Sequence, residues 1–180
     1  MTNVAVNSGE ARLSLQDARW EWTLVEADAA LDPRDIQEQK PEWWGGQVKG
    51  TLAADLKNKQ SDSYPTLSPE DWETRDVWYC VHFPVADPGA FQQSSLILDG
   101  LATIADVWLN DCHILHSENM FLRHELNVSA LLRDENCLYF RFSALEPRLK
   151  NKKPRPKWRT PFANRKNLNW IRTSLLGRIS

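Results

Sequence analysis

The apolar residues of this chain occur in short runs that turn residues interrupt at close intervals, most clearly over 96–145. One run, 96–98, ends at the pair Asp99-Gly100, and a second run, 105–109, ends at Asn110-Asp111. The first pair favours a tight turn, and the second tolerates the left-handed backbone that tight turns require. We therefore expect these runs to be strands joined by short connections.

Strict alternation marks the end of this stretch. Period two predicts one face made of apolar side chains and an opposite face made of the residues between them, with Leu138, Phe140 and Phe142 on one side and Tyr139 and Arg141 on the other. Residues 121–128 alternate as well, around His124. Alternation with turns every eight to twelve residues is typical of an antiparallel sandwich or barrel. The pattern therefore predicts an all-β fold.

Two earlier segments follow the same rule, and three others do not. Residues 20–24 alternate cleanly and predict the first core strand, whereas 76–83 is apolar enough to be a central strand. Residues 28–40 are polar and contain Asp32-Pro33, which predicts a loop or a short surface helix. Short helices are also predicted at 50–59, with Thr51 as N-cap, and at the Ser-Pro start of 68–72.

A family resemblance rests on four short strings: Leu98-Asp99-Gly100-Leu101, Asp106-Val107-Trp108-Leu109-Asn110, Asn127-Val128-Ser129 and Asn136-Cys137-Leu138. Together they resemble the sugar-binding domain of family 2 glycoside hydrolases, in its β-mannosidase branch. Segment 76–83 resembles a strand of that family, with Cys80 where the family has Arg. The resemblance covers about 20–178 and implies a galactose-binding-like jelly-roll β-sandwich.

With this resemblance the chain is expected to divide into three parts. These are a polar N-terminal arm (1–12), a sugar-binding-like sandwich domain (13–146) and a basic C-terminal strap (147–180) that is truncated. In the resembled family both catalytic Glu residues lie on a barrel beyond position 180. We therefore expect a fragment that is inactive by itself, with no catalytic residue and no cofactor of its own.

The resemblance also implies where carbohydrate would be approached. Arg165-Lys166-Asn167 resembles the element through which the first domain of the family reaches the active site of the barrel. Segment 170–178 contains no Asp, unlike the β-mannosidase segment that touches the sugar, so only the location carries over. The carbohydrate-proximal candidates are Arg165, Lys166, Trp170 and Arg172, and carbohydrate is the expected partner through the missing catalytic domain.

The composition adds nine Trp residues in 180. Trp rings stack on sugar faces, but they also fill cores, and we expect most of these to fill the sandwich core. Trp108 lies in the most patterned strand and is expected to be buried, as is Trp78. A free-standing carbohydrate-binding module that uses exposed Trp side chains stays an alternative.

Charge is distributed unevenly. Residues 147–180 contain eleven Lys and Arg and no Asp or Glu, so the other residues carry a net charge of −13 in a chain of net charge −2. Clustered Lys and Arg suggest a third alternative, a basic-tail nucleic-acid binder. No nucleic-acid-binding motif accompanies the cluster. A loosely held strap against an acidic sandwich or a neighbouring domain is favoured.

The Cys and His residues predict no metal site. Cys80, Cys112 and Cys137 are odd in number and share no ligand spacing, which disfavours a disulfide framework or a zinc site. His113 and His116 are three apart, and this spacing puts them on opposite faces of a regular strand. No segment is long and apolar enough to cross a membrane. The first twenty residues interleave charges without a signal-peptide core, so we expect a cytoplasmic protein.

Overall fold

The computed structural model describes residues 4–8, 11–16, 18–46, 74–90 and 93–149. Strands dominate these residues, and helices are few and short. The strands are β1 (Val4–Ser8), β2 (Ala11–Ser14), β3 (Trp20–Glu26), β4 (Trp44–Gly46), β5 (Arg75–Pro84), β6 (Ser94–Asp99), β7 (Ala105–Leu109), β8 (Cys112–Ser117), β9 (Arg123–Asn127) and β10 (Glu135–Phe142). The helices are α1 (Pro33–Gln39), α2 (Glu146–Leu149) and a 3-10 turn (Pro88–Ala90).

The strands form two antiparallel sheets. The smaller sheet has the order β2-β1-β6-β9, and the larger has the order β4-β3-β5-β10-β7-β8. Every strand pair in both sheets is antiparallel. The predicted all-β sandwich is therefore confirmed, as are the strands predicted at 20–24, 76–83, 96–98, 105–109 and 138–142.

The main core lies between the sheets and is built by alternate residues of each strand. The smaller sheet contributes Val6, Leu96 and Leu98, and the larger sheet contributes Trp20, Val81, Phe83, Val107, Leu109, Leu138 and Phe140. Phe142 packs against the same cluster, whereas Tyr139 belongs to a different one. The two faces predicted for β10 are therefore confirmed.

Of the two predicted turns, the one at Asn110-Asp111 is confirmed, whereas Asp99-Gly100 forms no tight turn between paired strands, because β6 and β7 lie in different sheets and residues 100–104 connect them. Asn110 and Asp111 have φ of 50° and 67°, as the connection between β7 and β8 requires. Gly100, just after β6, has φ of 88°, and a Cβ built there would lie 2.4 Å from the carbonyl oxygen of Met120. Only glycine fits at this position.

Helix α1 lies within the polar segment predicted as a loop or short helix. Asp32 caps it, since the Asp32 carboxylate accepts hydrogen bonds from the backbone N–H groups of Arg34 and Asp35. Asp35 completes the capping box by accepting from the Asp32 N–H, and Pro33 fits the first turn. The helix buries Ile36 completely, which fixes it against the larger sheet.

The prediction of a polar arm over 1–12 is wrong for part of that segment. Strand β1 lies inside the smaller sheet, between β2 and β6, and pairs Val6 with Leu96 of β6. The side chain of Val6 is buried in the core. Its backbone pairs with β6 along 4–8 and with β2 along 5–8.

Other predictions fall on segments that the structure does not describe. The helices predicted at 50–59 and 68–72 lie outside the described residues, as does most of the strap 147–180. The domain boundaries 13–146 and 147–180 stay predictions. Among the described residues there is no helix with the length and apolar character needed to span a membrane.

Candidate functional site

The face of the larger sheet that points away from the inter-sheet core carries the chemically distinctive residues; we call it the outer face. Side chains alternate along a strand, so residues two apart share a face. Three adjacent strands, β5, β10 and β7, contribute to it. Its residues are Asp76, Trp78, Cys80 and His82 of β5, Cys137, Tyr139 and Arg141 of β10, and Asp106 and Trp108 of β7.

An aromatic layer occupies the middle of the outer face. The rings of Trp78 and Trp108 stack with centroids 5.3 Å apart, and Tyr139 meets Trp78 edge-on at 6.4 Å. Ile36 of α1 belongs to the same cluster and covers it. Both Trp residues are buried, as predicted, but they form a second core outside the inter-sheet one.

At one end of the outer face lies a buried ion pair. Asp76 accepts hydrogen bonds from Nε and Nη2 of Arg141 at 2.8 and 2.7 Å, and Nη2 also donates to Asp28 at 2.5 Å. Asp76 further accepts from the backbone N–H groups of Asp28 and Ala144. Burial works against the charge on Arg141, but its bonds to Asp76 and Asp28 prevail and raise its pKa. This group is a structural anchor in which both carboxylate oxygens of Asp76 accept hydrogen bonds.

At the other end, two thiols and an imidazole meet. The register pairs Cys137 with His82 and Tyr139 with Cys80, so all four side chains project from neighbouring positions. The Sγ atoms of Cys80 and Cys137 are 3.4 Å apart, and Nε2 of His82 lies 3.5 Å from the first and 3.7 Å from the second. All three cysteines of the chain are free.

The two thiols differ in pKa because their surroundings differ. A hydrogen bond between the thiols and then burial raise the pKa of Cys80, whereas the same hydrogen bond lowers the pKa of Cys137. Burial, and then the nearby Cys80 thiol, raise the pKa of Tyr139, whose hydroxyl oxygen accepts a hydrogen bond from Nε2 of Gln37 at 3.1 Å. Cys137 is therefore the thiol of the pair that loses its proton first.

This cluster corrects the expectation that the cysteines form no metal-ligand arrangement. The spacing along the chain is uninformative, because Cys80 and Cys137 are brought together by strand pairing across 57 positions. Cys80, His82 and Cys137 are the one group of three or more Cys, His, Asp or Glu in the described ranges whose ligand atoms lie within 4.8 Å of one another. The sequence signal that was missed is the alternate pair Cys80-Val81-His82.

The expectation that His113 and His116 lie on opposite faces is also wrong. A β-bulge shifts the register, so Val107 faces Leu115 whereas Trp108 faces His113, leaving Ile114 as the extra residue. Both imidazoles then reach Oδ1 of Asp106, at 3.1 and 2.8 Å. The two exposed imidazoles therefore share one carboxylate oxygen as their hydrogen-bond partner. With Asp106 they do not form a triangle of ligand atoms of the kind seen at Cys80.

The four residues predicted from the family resemblance, Arg165, Lys166, Trp170 and Arg172, lie outside the described residues. Their proximity to carbohydrate stays a prediction. Of the nine Trp residues, six are described: Trp20, Trp22, Trp78 and Trp108 are buried, and Trp43 and Trp44 are half-buried. None of these six offers a fully exposed ring, so most described Trp residues fill cores, as expected.

A family model described as the glycosyl hydrolase 2 galactose-binding domain-like family matches residues 22–177. The chain belongs to this family. Its curated relatives place this galactose-binding-like domain in the β-mannosidase branch, as the resemblance implied. Rat β-mannosidase is 32% identical over 75 residues, which are 41% of this chain. β-Mannosidase B of Aspergillus terreus is 32% identical over 137 residues, which are 69% of this chain.

Two solved structures show the same fold. A β-D-mannosidase from Dictyoglomus thermophilum superposes with a TM-score of 0.56 and 23% identity, over 82% of this chain and 17% of that protein. A glycosyl hydrolase family 2 member from Bacteroides cellulosilyticus superposes with a TM-score of 0.51 and 18% identity, over 78% of this chain and 18% of that protein. The galactose-binding-like chain spans only 8% of the rat relative and 16% of the A. terreus relative.

Proposed function

We propose that this chain acts as the non-catalytic N-terminal domain of a β-mannosidase-like glycoside hydrolase, and that it contributes to carbohydrate metabolism only through that enzyme's catalytic domain. The observation that carries the proposal is the family match over 22–177. The curated β-mannosidase relatives, which are much longer than this chain, support it. The domain would position the catalytic domain and border its active site.

The two carboxylates of the outer face are engaged within the protein, which supports a non-catalytic role for that face. Retaining glycosidases need two carboxyl groups about 5–5.5 Å apart, one of them free to protonate the leaving oxygen. The buried Asp76 is held by Arg141 and two backbone N–H groups, and Asp106 is held by two imidazoles. Neither carboxylate is free to face a sugar.

Contact with carbohydrate is proposed for the strap instead. Arg165, Lys166, Trp170 and Arg172 all lie within the matched range 22–177. Guanidinium groups are well suited to span an interface, because they can pair with carboxylates of a neighbouring domain in a bidentate way. We propose that these four residues approach substrate only when the catalytic domain is present.

An activity assay tests the first part of the proposal. The 180-residue chain, purified from a host deleted for its own glycosidases, is incubated with aryl β-mannoside, β-galactoside and β-glucuronide. We expect no release of the aryl alcohol above buffer, with a full-length β-mannosidase as the positive control. Turnover that co-purifies with the chain through every column and survives host deletion would refute the proposal.

A binding experiment separates an accessory domain from a free-standing carbohydrate-binding module. Calorimetric titration with mannose, β-mannosides and mannan is expected to show no heat of binding, since four of the six described Trp rings are buried and the other two are half-buried. Saturable binding would favour the module. In that case Trp43→Ala, which removes a half-buried ring, tests whether the described surface or the strap holds the sugar.

A further inference from the structure

The ligand atoms of Cys80, His82 and Cys137 form a nearly equilateral triangle with sides of 3.4, 3.5 and 3.7 Å. In a tetrahedral site with Zn–S of about 2.3 Å and Zn–N of about 2.0–2.1 Å, neighbouring ligand atoms are about 3.5–3.8 Å apart. The triangle thus has nearly the dimensions of three corners of a zinc site. Only the two sulfur atoms need to separate slightly.

We propose that Cys80, His82 and Cys137 bind one zinc ion, which links β5 to β10 on the outer face. Two thiolates and one imidazole are a ligand set that suits Zn²⁺ and excludes the oxygen-seeking Mg²⁺ and Ca²⁺. His82 is exposed, whereas Cys80 is buried, so the ion lies at the protein surface with its fourth position toward solvent. Water completes the tetrahedron there.

The proton balance of this binding step is simple. Each thiol gives up its proton to solvent, so two protons leave as one Zn²⁺ enters, and the imidazole binds in its neutral form through Nε2. No bond within the protein is broken and no group is oxidised. Zinc affinity is therefore expected to rise with pH.

Neighbouring groups surround Cys80, the buried ligand of the three. Tyr139 lies directly across from Cys80 in β10, and its hydroxyl is fixed by Gln37 of α1. On the other side of β5, Glu21 of β3 is the cross-strand partner of Cys80. Trp78 and Tyr139 pack beside Cys80 in one cluster. Such neighbours orient metal ligands and limit water around them.

The remaining Cys and His residues serve as internal controls, because all three Cys and all four His of the sequence lie among the described residues. Cys112 is exposed and lies apart, where its thiol donates to the carbonyl oxygen of His113. His113 and His116 are engaged with Asp106. Zinc bound elsewhere through a thiol or an imidazole would have to use these residues or His124, whose Nε2 lies 3.1 Å from Oγ of Ser117.

The test is a metal titration of the untagged 180-residue chain, reduced with a phosphine and freed of metal. Zn²⁺ is added in competition with a chromophoric chelator, and Co²⁺ is added in a parallel titration. We expect one ion of each per chain and a thiolate-to-cobalt charge-transfer absorption. Absence of zinc binding by the fully reduced chain would overturn the proposal.

The variants identify the ligands. Cys137→Ser and His82→Gln should each weaken zinc binding by more than about 100-fold, beyond the usual effect of changing a group that only contacts a ligand. Cys137→Ser should also lose about half of the charge-transfer absorption, as expected for two thiolate ligands. Both sites are at least partly exposed, and far-ultraviolet circular dichroism verifies that the variants fold.

Cys112→Ser and His116→Gln are the matched controls and should bind zinc as the unchanged chain does. The proposal would be overturned if Cys137→Ser and His82→Gln each bound zinc with the affinity of the unchanged chain. It would also be overturned if both controls lost zinc binding. A disulfide that forms between Cys80 and Cys137 in the presence of excess zinc would also overturn it, because bound thiolates are protected from oxidation.

Discussion

The two faces of β5 and β10 have the same strands and opposite chemistry. The inner face presents side chains such as Val81, Phe83 and Phe140 to the inter-sheet core. The outer face presents an ion pair, an aromatic stack and a pair of thiols in successive positions. Apart from the end that carries His82 and Cys137, burial does not distinguish the two faces, since Trp78 and Val81 are both fully buried and Arg141 is only 6% exposed. What differs is whether each side chain needs a particular partner.

This difference has consequences for what each face tolerates. Apolar contacts are non-directional, so the inner face should accept swaps that conserve volume at a cost below about 1.5 kcal/mol. A buried polar group whose partner is removed costs much more than the bond itself contributed. On the outer face, the residues that are tolerated are therefore determined by specific partner side chains. On the inner face, they are determined mainly by the volume of the side chain.

The largest expected effects come from truncating one ring on each face. Phe140→Ala on the inner face and Trp78→Ala on the outer face should each lower the free energy of unfolding by about 3–5 kcal/mol. Trp108→Ala should lie in the same range, since the ring is buried against Trp78. Urea denaturation measures all three. A Trp78→Ala midpoint close to that of the unchanged chain would show that the outer face is no second core.

The buried ion pair of Asp76 and Arg141 tests whether side chains of the outer face need particular partners. Asp76→Ala leaves Arg141 buried without its main acceptor and should cost about 3–5 kcal/mol. Arg75→Ala is the control, because its pair with Glu26 has a similar N–O distance of 3.2 Å but is largely exposed, and such pairs contribute about 0–1 kcal/mol. Equal losses in the two variants, again from urea midpoints, would contradict the distinction between the faces.

A smaller effect is expected from pH. The folded pKa values of Cys80 and Tyr139 lie above their ordinary values of 9.0 and 10.0, so the folded chain keeps protons that the unfolded chain releases. Their contribution to stability is thus complete below pH 9.0 and is lost progressively as pH rises above it. Cys137 acts oppositely: its folded pKa is lowered, so its contribution grows as pH rises toward 9.0.

In the metal-free, reduced chain, the joint contribution of these three groups to stability should therefore be largest near the ordinary thiol value of 9.0 and decline at higher pH. Tyr139→Phe should show a shallower loss above 10.0, because one retained proton is gone. Urea midpoints at a series of pH values supply the measurement. Phe140→Leu on the inner face removes no titratable group and should therefore leave the pH profile unchanged. If stability in Tyr139→Phe fell with pH as steeply as in the unchanged chain, the raised pKa would not belong to Tyr139.

The smallest expected effect concerns the reactivity of the three cysteine thiols and not the stability of the chain. Iodoacetamide should label the exposed Cys112 readily and the half-buried Cys137 at a rate increased by its lowered pKa, with Cys80 last. Peptide mapping by mass spectrometry at successive times gives the order. Labelling of Cys80 as fast as that of Cys112 would mean that the outer face opens readily.

The inner face was predictable from the sequence, because side chains two positions apart in a regular strand share a face. The alternation of 138–142, the strand at 20–24 and the turn at Asn110-Asp111 all follow from local rules. Strand β1 was missed because its five residues, VAVNS, are a short run without the strict alternation seen at 138–142. Hydrophobic pattern therefore carried little signal there.

The cluster at Cys80 could not be predicted, for a different reason. It depends on the register between β5 and β10, which pairs residues more than fifty positions apart, and no local pattern encodes that register. The same limit applies to His113 and His116, where a single extra residue in β8 reverses a face assignment. Sequence periodicity gives the faces of a regular strand but not the partners across it.

That extra residue, Ile114, bears on how this protein avoids misassembly. In the described part of the chain β8 is the last strand of its sheet, so one of its edges offers unpaired backbone groups on which a strand of another molecule could add. A bulge twists such an edge and interrupts the ladder that an incoming strand would need. Removing Ile114 would regularise β8 and expose a flat template for polymerisation. In the described part of the chain, the irregularity that gathers two histidines at Asp106 thus also interrupts the last strand of the larger sheet.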